Sequence, residues 1–449
     1  MSDSLLHRHA KPVPRYTSYP TAPHFHSGID NATYADWLQA LPAETALSLY
    51  VHIPFCDRLC WFCGCHTKQV LRYDPIAAYL PGVFREMETV AELLGGRGHV
   101  VALHLGGGSP SMLRPDDLSD LSARVRRQFR VGADLEFSIE IDPNDMTDDR
   151  YDAFADAGVT RISVGVQDFN PKVQEAINRI QTFEQTKAVV DGMRLRGVKS
   201  VNLDVLYGLP HQTVASVEAT VDQALSMNPD RIALFGYAHV PWMKTHQRMI
   251  DEAVLPGIAE RLHQSTAASE RIRAAGYVAI GIDHFARPGD SLAVAAQSGT
   301  LHRNFQGYTT DQAPALIGLG ASSIGSLPQG YVQNITATGE YLQAVRENGL
   351  AIAKGLKFND EDRMRGWVIE RLMCDFEVSV DELQRRFREC AGPVVTEMEY
   401  AALCDSDGVV SFDGRTFAVT PLGRPFVRSV ASAFDTYLAA GVGRHSVAV

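Results

Sequence analysis

The stretch Leu47 to Cys65, "LSLYVHIPFCDRLCWFCGC", decides how the rest of the chain is read. Its first seven residues form an apolar, β-branched run of the kind that makes a buried strand. Its last ten hold four of the chain's seven cysteines, Cys56, Cys60, Cys63 and Cys65. A strand that passes straight into a cysteine-rich loop puts sulfur at the carboxyl edge of a sheet. Similar apolar runs recur at 100–105, 135–141, 161–166, 200–208, 231–237 and 277–283. Helical periodicity fills the gaps, as at 79–94 and 183–195, and several helices open after "P-x-D" or "D-P-N" turns. Strand, helix, strand alternation implies a parallel sheet with right-handed crossovers. The spacing suits a β/α barrel as well as a doubly wound sheet. The strand ends favour the barrel: "HLGGGSP", "IEIDPND", "VGVQDF", "LDVLYGLP" and "FGYAHVP" all place glycine or polar groups there, whereas doubly wound folds concentrate their site at one switch point. The fold class expected is α/β, a partial or complete parallel β/α barrel.

A chain of 449 residues exceeds what one ordinary core supports. Residues 46–290 are expected to form the barrel and 291–354 a barrel extension and connection without clean alternation. Residues 1–45, with the proline- and aromatic-rich "PRYTSYPTAPHF", read as an extended N-terminal arm packed on the barrel. Residues 355–449 read as a smaller, mainly helical C-terminal domain, with helices at 360–374 and 378–391 and a hairpin in "GVVSFDGRTFAVT" turning at Asp413-Gly414. Helices followed by a hairpin suggest a winged helix, but acidic residues outnumber basic ones in this segment, which favours a lid packed on the barrel over a DNA contact.

With 45% hydrophobic and 21% charged residues the composition is that of a globular chain. No apolar run reaches the ~18 residues of a membrane span, and the start lacks a signal peptide's apolar core. A cytoplasmic location is expected, where thiols stay reduced, so the cysteine cluster reads as metal binding or redox chemistry rather than disulfides. The net charge of −11 argues against general nucleic-acid affinity but leaves room for an anionic small molecule held by a few arginines. With no separate assembly segment evident, a monomer is expected.

The cysteines are spaced Cys56-x3-Cys60-x2-Cys63-x1-Cys65. Structural zinc sites usually pair two short knuckles set apart by a longer loop, and no second knuckle exists here. Cys374, Cys390 and Cys404 lie far off among apolar helix residues and read as buried packing cysteines. The spacing matches neither ferredoxin pattern. "LGGGSP" at 105–110 has the wrong spacing and follows the wrong strand for dinucleotide binding, but glycines there let backbone approach a ligand closely.

C-x3-C-x2-C directly after a first barrel strand, together with "GGGSP", resembles the motifs of the radical S-adenosylmethionine (SAM) enzymes. In that family three thiolates hold a [4Fe-4S] cluster whose open iron takes the amino and carboxylate groups of SAM, and one electron yields a 5′-deoxyadenosyl radical. The resemblance extends, over nearly the whole chain, to the oxygen-independent coproporphyrinogen III oxidases (dehydrogenases) of bacterial haem biosynthesis. It is carried by "PRYTSYPTA", "YVHIPFC", "CWFCGC", "IEIDP", "VGVQDFN" with "NR", "NLDVLYGLP", "YAHVP", "GIDHFARPGDSLAVA" and "LHRNFQGYTT".

The resemblance implies oxidative decarboxylation of two propionate side chains of coproporphyrinogen III to vinyl groups, giving protoporphyrinogen IX. A reducing electron donor protein and an electron acceptor are then needed. It further implies Cys56, Cys60 and Cys63 as cluster ligands, with Tyr50, Gly107 and Glu140 at a first SAM. Phe62, Gly108, Ser109, Gln167, Arg179, Asp204, Ala238 and Ile324 match contacts to a second. Ser109 stands where threonine is expected and keeps the hydroxyl. Plain alternatives exist: Tyr50 as a core aromatic, Arg179 as a solvated helix end, and Ala238 and Ile324 as ordinary packing. Cys65 is read as an accessory residue of the catalytic site beside Tyr50. Arg15 and Arg303 are candidates for the substrate carboxylates, with Tyr16, His284 and Tyr308 in the same motifs. A rival within the superfamily is a haem chaperone that binds and delivers haem; the fourth cysteine and the arm motif favour the oxidase.

Overall fold

The computed structural model describes residues 3–438 and 441, so the extreme ends of the segments 1–45 and 355–449 lie outside the described residues. Six strands of the main sheet alternate with six longer helices from Ala46 to Ala274, besides two short strands at Phe55–Cys56 and Lys68–Gln69 and a short helix at Pro171–Ala176. They are β1 (Ala46–Ile53), α1 (Asp74–Leu94), β2 (His99–Gly107), α2 (Pro115–Gln128), β3 (Val131–Ile141), α3 (Asp148–Ala157), β4 (Arg161–Gln167), α4 (Phe183–Leu195), β5 (Ser200–Tyr207), α5 (Val214–Ser226), β6 (Arg231–Gly236) and α6 (Ile258–Ala274). There follow β7 (Val278–Ile280), β8 (His284–Ala286), β9 (Ala315–Leu319), β10 (Ile324–Leu327), β11 (Gly330–Asn334) and β12 (Ile352–Lys357). One twelve-stranded sheet contains them all, in the order β12-β11-β10-β9-β1-β2-β3-β4-β5-β6-β8-β7. β9 and β1 to β6 run parallel, while both ends of the sheet are antiparallel. The fold is a partial β/α barrel.

Each barrel helix is sorted by its apolar spacing. In α1, Ile76, Tyr79, Leu80, Val83, Met87, Val90 and Leu94 recur three or four apart and are buried against the sheet. Each fully buried side chain of this size contributes roughly 1.5–3 kcal/mol. Gly95, at φ 57°, ends the helix in the left-handed region that glycine enters freely. The same helix buries Glu86, which accepts hydrogen bonds from Tyr341 Oη and Asn334 Nδ2 at 2.6 Å and from the Gly320 amide at 2.8 Å. That carboxylate fastens α1 to the turn after β9, so the strand completing the barrel is tied to the first helix.

Two sequence expectations are corrected. The run 277–283, read as a barrel strand, yields only the short antiparallel β7 at one edge of the sheet. The further parallel strand is β9, from the stretch "ALIGL" that lacked a legible pattern. Glycine is a poor strand former by propensity, but an added Cβ at Gly318 would lie 2.8 Å from the Ile324 carbonyl oxygen, so only glycine lets β10 fold back this closely. The arm, read as extended, contains a helix at Asn31–Gln39. Asp30 caps it by accepting the Thr33 amide at 2.9 Å, and Tyr34, Trp37 and Leu38 are its buried face.

Beyond the sheet, Tyr16 and Tyr19 of the arm share a second core with Met364, Val368 and Leu372 of the helix Asp360–Asp375 and with Phe417 and Phe434. The expected helix at 378–391 is two: Val380–Phe387, a turn at Arg388 with φ 51°, then Ala391–Leu403. Val410–Phe412 and Thr416–Val419 form the hairpin, joined by Glu377–Ser379 as a third strand. Cys374 is buried as expected, whereas Cys390 and Cys404 are exposed, because their positions fall where helices end rather than on buried faces.

Strand alternation sets the chemistry of the interior. Leu47, Leu49 and Val51 of β1 are buried under the helices, while Ser48 and Tyr50 fall on the opposite face. Polar residues from successive strands meet one another there: His104 Nδ1 lies 2.6 Å from Ser138 Oγ, and Asn202 Nδ2 donates to Ser163 Oγ at 2.8 Å. Central strands of parallel sheets are usually apolar on both faces. Here the lumen is polar.

Candidate active site

The cysteine loop leaves β1 at Ile53 and is held open by other parts of the chain. The Trp61 amide donates to the Ile177 carbonyl at 2.9 Å, and Asn178 Nδ2 donates to the Leu59 carbonyl at 2.9 Å. On the other flank Gln247 Nε2 donates to the Phe62 carbonyl at 2.9 Å, His246 Nε2 to the Cys63 carbonyl at 2.7 Å and Lys244 Nζ to the Cys65 carbonyl at 2.9 Å. Backbone groups of the loop are thereby satisfied by side chains from outside it. Nothing in the sequence pattern singled out Lys244, His246 or Gln247. They follow "YAHVP" without a motif of their own and work through loop carbonyls, which carry no sequence signal.

Cys56 and Cys63 are half-buried, Cys60 is buried and Cys65 is exposed. Burial pushes the Cys56 thiol up, as do the nearby Cys63 and Cys60. Hydrogen bonding from Cys65, including its amide at 3.3 Å from Cys63 Sγ, draws Cys63 down toward the thiolate. Cys60 is pushed up by burial, opposed by Arg179, whose Nη1 lies 3.6 Å from Cys60 Sγ. Arg179 also pairs with Asp142 at 3.1 Å and donates to the Gly165 carbonyl at 2.8 Å. It is buried, not a solvated helix end, and its Nε has no hydrogen-bond partner.

The wall opposite is built from "GGG" and β3. Gly107, at φ 109°, donates its amide to Glu140 Oε2 at 3.0 Å, and an added Cβ would meet His52 at 2.3 Å. Gly108 donates to the Ile53 carbonyl at 2.8 Å, which laces the glycine run to the end of β1. Glu140 also lies 3.5 Å from His104 Nε2. Burial pushes Glu140 up, but His104 and the Gly107 amide outweigh it and keep its carboxyl below the ordinary value. Tyr50 stacks on His104 with ring centroids 5.7 Å apart, and its hydroxyl lies 2.8 Å from His52 Nδ1. Tyr50 is therefore a lumen residue joined to Glu140 through His104.

Asp204, on β5, accepts from Ser163 Oγ at 2.9 Å and Asn202 Nδ2 at 2.8 Å. Burial pushes it up to about 6, with the Glu140 charge adding to the effect. Gln167 ends β4 at φ 63°, a conformation costly for a residue with a side chain. Ser109 is buried and its hydroxyl donates to Asp145, which also accepts from Ser111 at 2.9 Å. That bond gives Ser109 a structural partner alongside the role implied for it. Phe62 packs with Trp61 against Val173, Ile177 and Tyr237. The Ala238 carbonyl accepts Gln247 Nε2 at 3.2 Å, and Ile324 opens β10, next to the β9 residue Gly318 that pairs with Tyr50.

Arg15 and Arg303 fall elsewhere, together. Both line a cavity of about 380 Å³ at the carboxyl ends of β5 and β6, beneath the arm. Arg15 donates to the Gly236 carbonyl at 3.1 Å, and Arg303 lies over the Tyr308 ring at 4.5 Å. Tyr308 also donates to the Met373 carbonyl at 2.6 Å and packs edge-on to His284, so both aromatics brace this wall. Tyr16 turns away, its hydroxyl donating to Asp435 at 3.0 Å.

Among the described residues no three or more His, Cys, Asp or Glu side chains close around a point as they would around a single ion. Three thiols on one loop, with a guanidinium on the Cys60 sulfur and the glycine run laced to the strand that the loop leaves, fit a multi-iron group and a ligand laid against backbone. The fold is that of a radical SAM enzyme, and the model of the radical SAM superfamily matches residues 50–224.

Whole-chain relatives narrow the class. An oxygen-independent coproporphyrinogen III oxidase of Bradyrhizobium diazoefficiens is 50% identical, over 97% of this chain and 97% of its own. One from Paracoccus denitrificans is 46% identical, over 97% of this chain and 96% of its own. The solved coproporphyrinogen III oxidase of Escherichia coli, described as a radical SAM enzyme, is 38% identical with a TM-score of 0.91, covering 97% of this chain and 99% of that one. The chain belongs to the oxygen-independent coproporphyrinogen III oxidases, radical SAM enzymes of haem biosynthesis, and the chaperone alternative is not favoured.

Proposed function

We propose that this chain converts two propionate side chains of coproporphyrinogen III to vinyl groups, giving protoporphyrinogen IX. Per propionate, one hydrogen atom leaves the β-carbon, the carboxylate departs as CO2, and one further electron passes to an acceptor as the C=C bond forms. The observation that carries the reading is that Cys56, Cys60 and Cys63 stand on the loop leaving β1, whose last residue accepts the Gly108 amide, while the Gly107 amide donates to Glu140. A [4Fe-4S] cluster with SAM supplies, when bound, the carbon radical that removes hydrogen.

The chain's residues do the rest. Cys56, Cys60 and Cys63 would hold the cluster, and Arg179, hydrogen-bonded to Cys60, spreads the charge that reduction adds. Glu140 carries a negative charge at neutral pH and suits an ammonium group; Tyr50 and Gly107 frame the same position. A second SAM would lie against Phe62, Gly108, Ser109, Gln167, Arg179, Asp204, Ala238 and Ile324, with Asp204 taking hydroxyl or ammonium donors. Cys65, exposed and with its amide on Cys63 Sγ, serves as an accessory thiol. Arg15 and Arg303 receive substrate carboxylates. The wall of helices excludes water and oxidants, which a primary carbon radical would attack.

The reading further has the chain working as a cytoplasmic monomer served by a reducing donor protein and a separate acceptor. It has an N-terminal arm (1–45), a barrel (46–290) with its extension (291–354) and a C-terminal domain (355–449). Among the described residues no helix is long and apolar enough to cross a membrane. The test is anaerobic turnover of reconstituted protein with reductant, SAM, coproporphyrinogen III and an acceptor. Loss of two carboxyl groups coupled to 5′-deoxyadenosine is the expected result; deoxyadenosine without decarboxylation would overturn the substrate.

A further inference from the structure

The surface over the cysteine loop differs from the rest of the chain. Among the described residues eleven large apolar side chains are exposed, and five of them, Leu71, Ile180, Trp242, Met243 and Met249, stand on the segments that hold this loop. The Val70 amide, next to Leu71, donates to the Cys56 carbonyl at 2.9 Å, and the Ile180 carbonyl accepts Arg58 Nη1 at 3.1 Å. Trp242, Met243 and Met249 flank Lys244, His246 and Gln247, whose side chains donate to the Cys65, Cys63 and Phe62 carbonyls. The tip of the loop is uncovered: Cys65 is exposed, and a Cβ added at Gly64 would have no heavy atom within 4 Å. Single exposed apolar residues are ordinary, but several in one place mark an interaction site, and methionine, tryptophan and arginine are enriched at such sites.

Charge on this surface runs against that of the chain. Residues 57–74, 171–180 and 240–249 hold seven lysines and arginines, the buried Arg179 included, against three acidic residues, whereas the whole chain has 42 against 53. Two of those three are matched, Asp57 by Arg58 at 2.7 Å and Asp74 by Arg72 at 3.8 Å, which leaves Glu175. Lys68, Lys172 and Arg248 are exposed and form no ion pair among the described residues. Of the acidic residues that follow Met249, Glu252 lies 2.9 Å from His239 Nε2 and Asp251 accepts the Ala253 amide at 3.0 Å. The patch is apolar and basic on a chain that is otherwise acidic.

A cluster held by Cys56, Cys60 and Cys63 needs an electron from outside the chain, and electron transfer slows steeply with distance. A carrier seated over Gly64 and Cys65 lies next to the residues that hold the cluster. Carriers of low-potential electrons place a flavin or an iron–sulfur group at the edge of a small acidic protein, which complements this surface in sign. Electron-transfer encounters are also small, burying less than ~1,200 Å², a scale that five apolar side chains and a few cations suit. We propose that Leu71, Ile180, Trp242, Met243 and Met249, with Lys68, Lys172 and Arg248, are the docking surface for a small acidic protein that delivers this electron. The step is a one-electron transfer: the carrier is oxidised, the cluster is reduced, and no bond forms between the two proteins. The proposal rests on the radical SAM reading of the cysteine loop.

The test is binding of two probes, an acidic flavodoxin with its FMN reduced and an acidic ferredoxin, to anaerobic, cluster-loaded protein at low salt. SAM cleavage under dithionite is measured in parallel, because a small reductant needs no docking surface. Lys68→Glu combined with Arg248→Glu should weaken carrier binding by roughly ten-fold or more, and Met249→Asp by roughly three-fold. Added salt should weaken the wild type and leave the charge variant little changed. Dithionite should drive SAM cleavage in every variant as it does in wild type, and melting curves report whether each is intact. Failure of both carriers to bind wild type, or binding unchanged in the charge variant and in Met249→Asp, overturns the docking surface. Loss of coproporphyrin III binding in these variants with carrier binding intact overturns it too, by giving the patch to the substrate, as does a preference for vesicles of anionic lipid, which would give it to a membrane. If a carrier binds through these residues but dithionite drives no SAM cleavage in wild type, the docking surface stands and the proposed reaction falls.

Discussion

Glu140 and Asp204 in the lumen, and Arg261, Arg303 and Arg428 lining the cavity with Tyr207, occupy different regions of the molecule and carry opposite charge. On the lumen side carboxylates and thiols are knitted to histidine, serine, backbone amides and one arginine. On the cavity side Arg261 and Arg428 are oriented by backbone carbonyls and Arg303 stands 4.0 Å from Asp283. SAM brings a sulfonium and an ammonium group, whereas coproporphyrinogen III brings four carboxylates. The contrast teaches that net charge is a poor guide to what a protein binds; a chain of −11 can hold an arginine pocket, because sign is set locally by which side chains the topology gathers.

Substitutions can test whether the two regions are separable. The largest effect is expected for Cys60→Ala: iron content and SAM cleavage should fall to background while coproporphyrin III still binds within about two-fold, and normal iron content would refute the ligand assignment. Gly107→Ala forces a Cβ against His52 at a positive φ. Strain of this kind costs about 1–3 kcal/mol, so SAM affinity measured calorimetrically should drop by roughly ten-fold or more, again without touching porphyrin binding.

Arg179→Gln removes a positive charge next to Cys60 Sγ. The cluster should become harder to reduce, its midpoint potential moving negative by tens of millivolts in a titration followed by electron paramagnetic resonance; an unmoved potential would separate Arg179 from the cluster. The smallest effect concerns Asp145, which burial and the Asp142 charge push up to about 6. Its raised value means the folded state binds more protons than the unfolded one between about pH 4 and pH 6, so stability falls as pH rises through that window and stays low above it. Asp145→Asn escapes that loss. It should melt higher than wild type near pH 7 by about 1–2 kcal/mol of stability, with no gain near pH 4. Equal melting at both values would show the carboxylate to be compensated.

Much of the frame was legible because strands buried on one or both faces must be apolar and the groups at their ends need partners. β1 to β6 and the polar ends after them follow from that alone. β9 escaped because its glycines serve a close approach by β10, a tertiary demand that erases strand propensity. Arg179 read equally well as a solvated helix end; only the fold shows Asp142 and Cys60 against it. Arg261 and Arg428 escaped for a related reason. On a helix, an arginine bound for solvent and one bound for a cavity look alike, and the distinction comes from Tyr237, Val13 and Pro14, which are remote in sequence. The cysteine triplet was visible because its spacing is local, whereas the loop that props it up, with His246 and Gln247, was not.

The arm has one more consequence, for the order in which the protein is made. Carbonyls of Val13 and Pro14 hold Arg428, and Tyr16 donates to Asp435, so residues before the barrel find their partners some four hundred positions later. A nascent barrel can assemble its sheet through β6 long before this. The arginine-lined cavity has no such head start: two of its walls, the arm and Arg424 with Arg428, come together only after the whole barrel has been made.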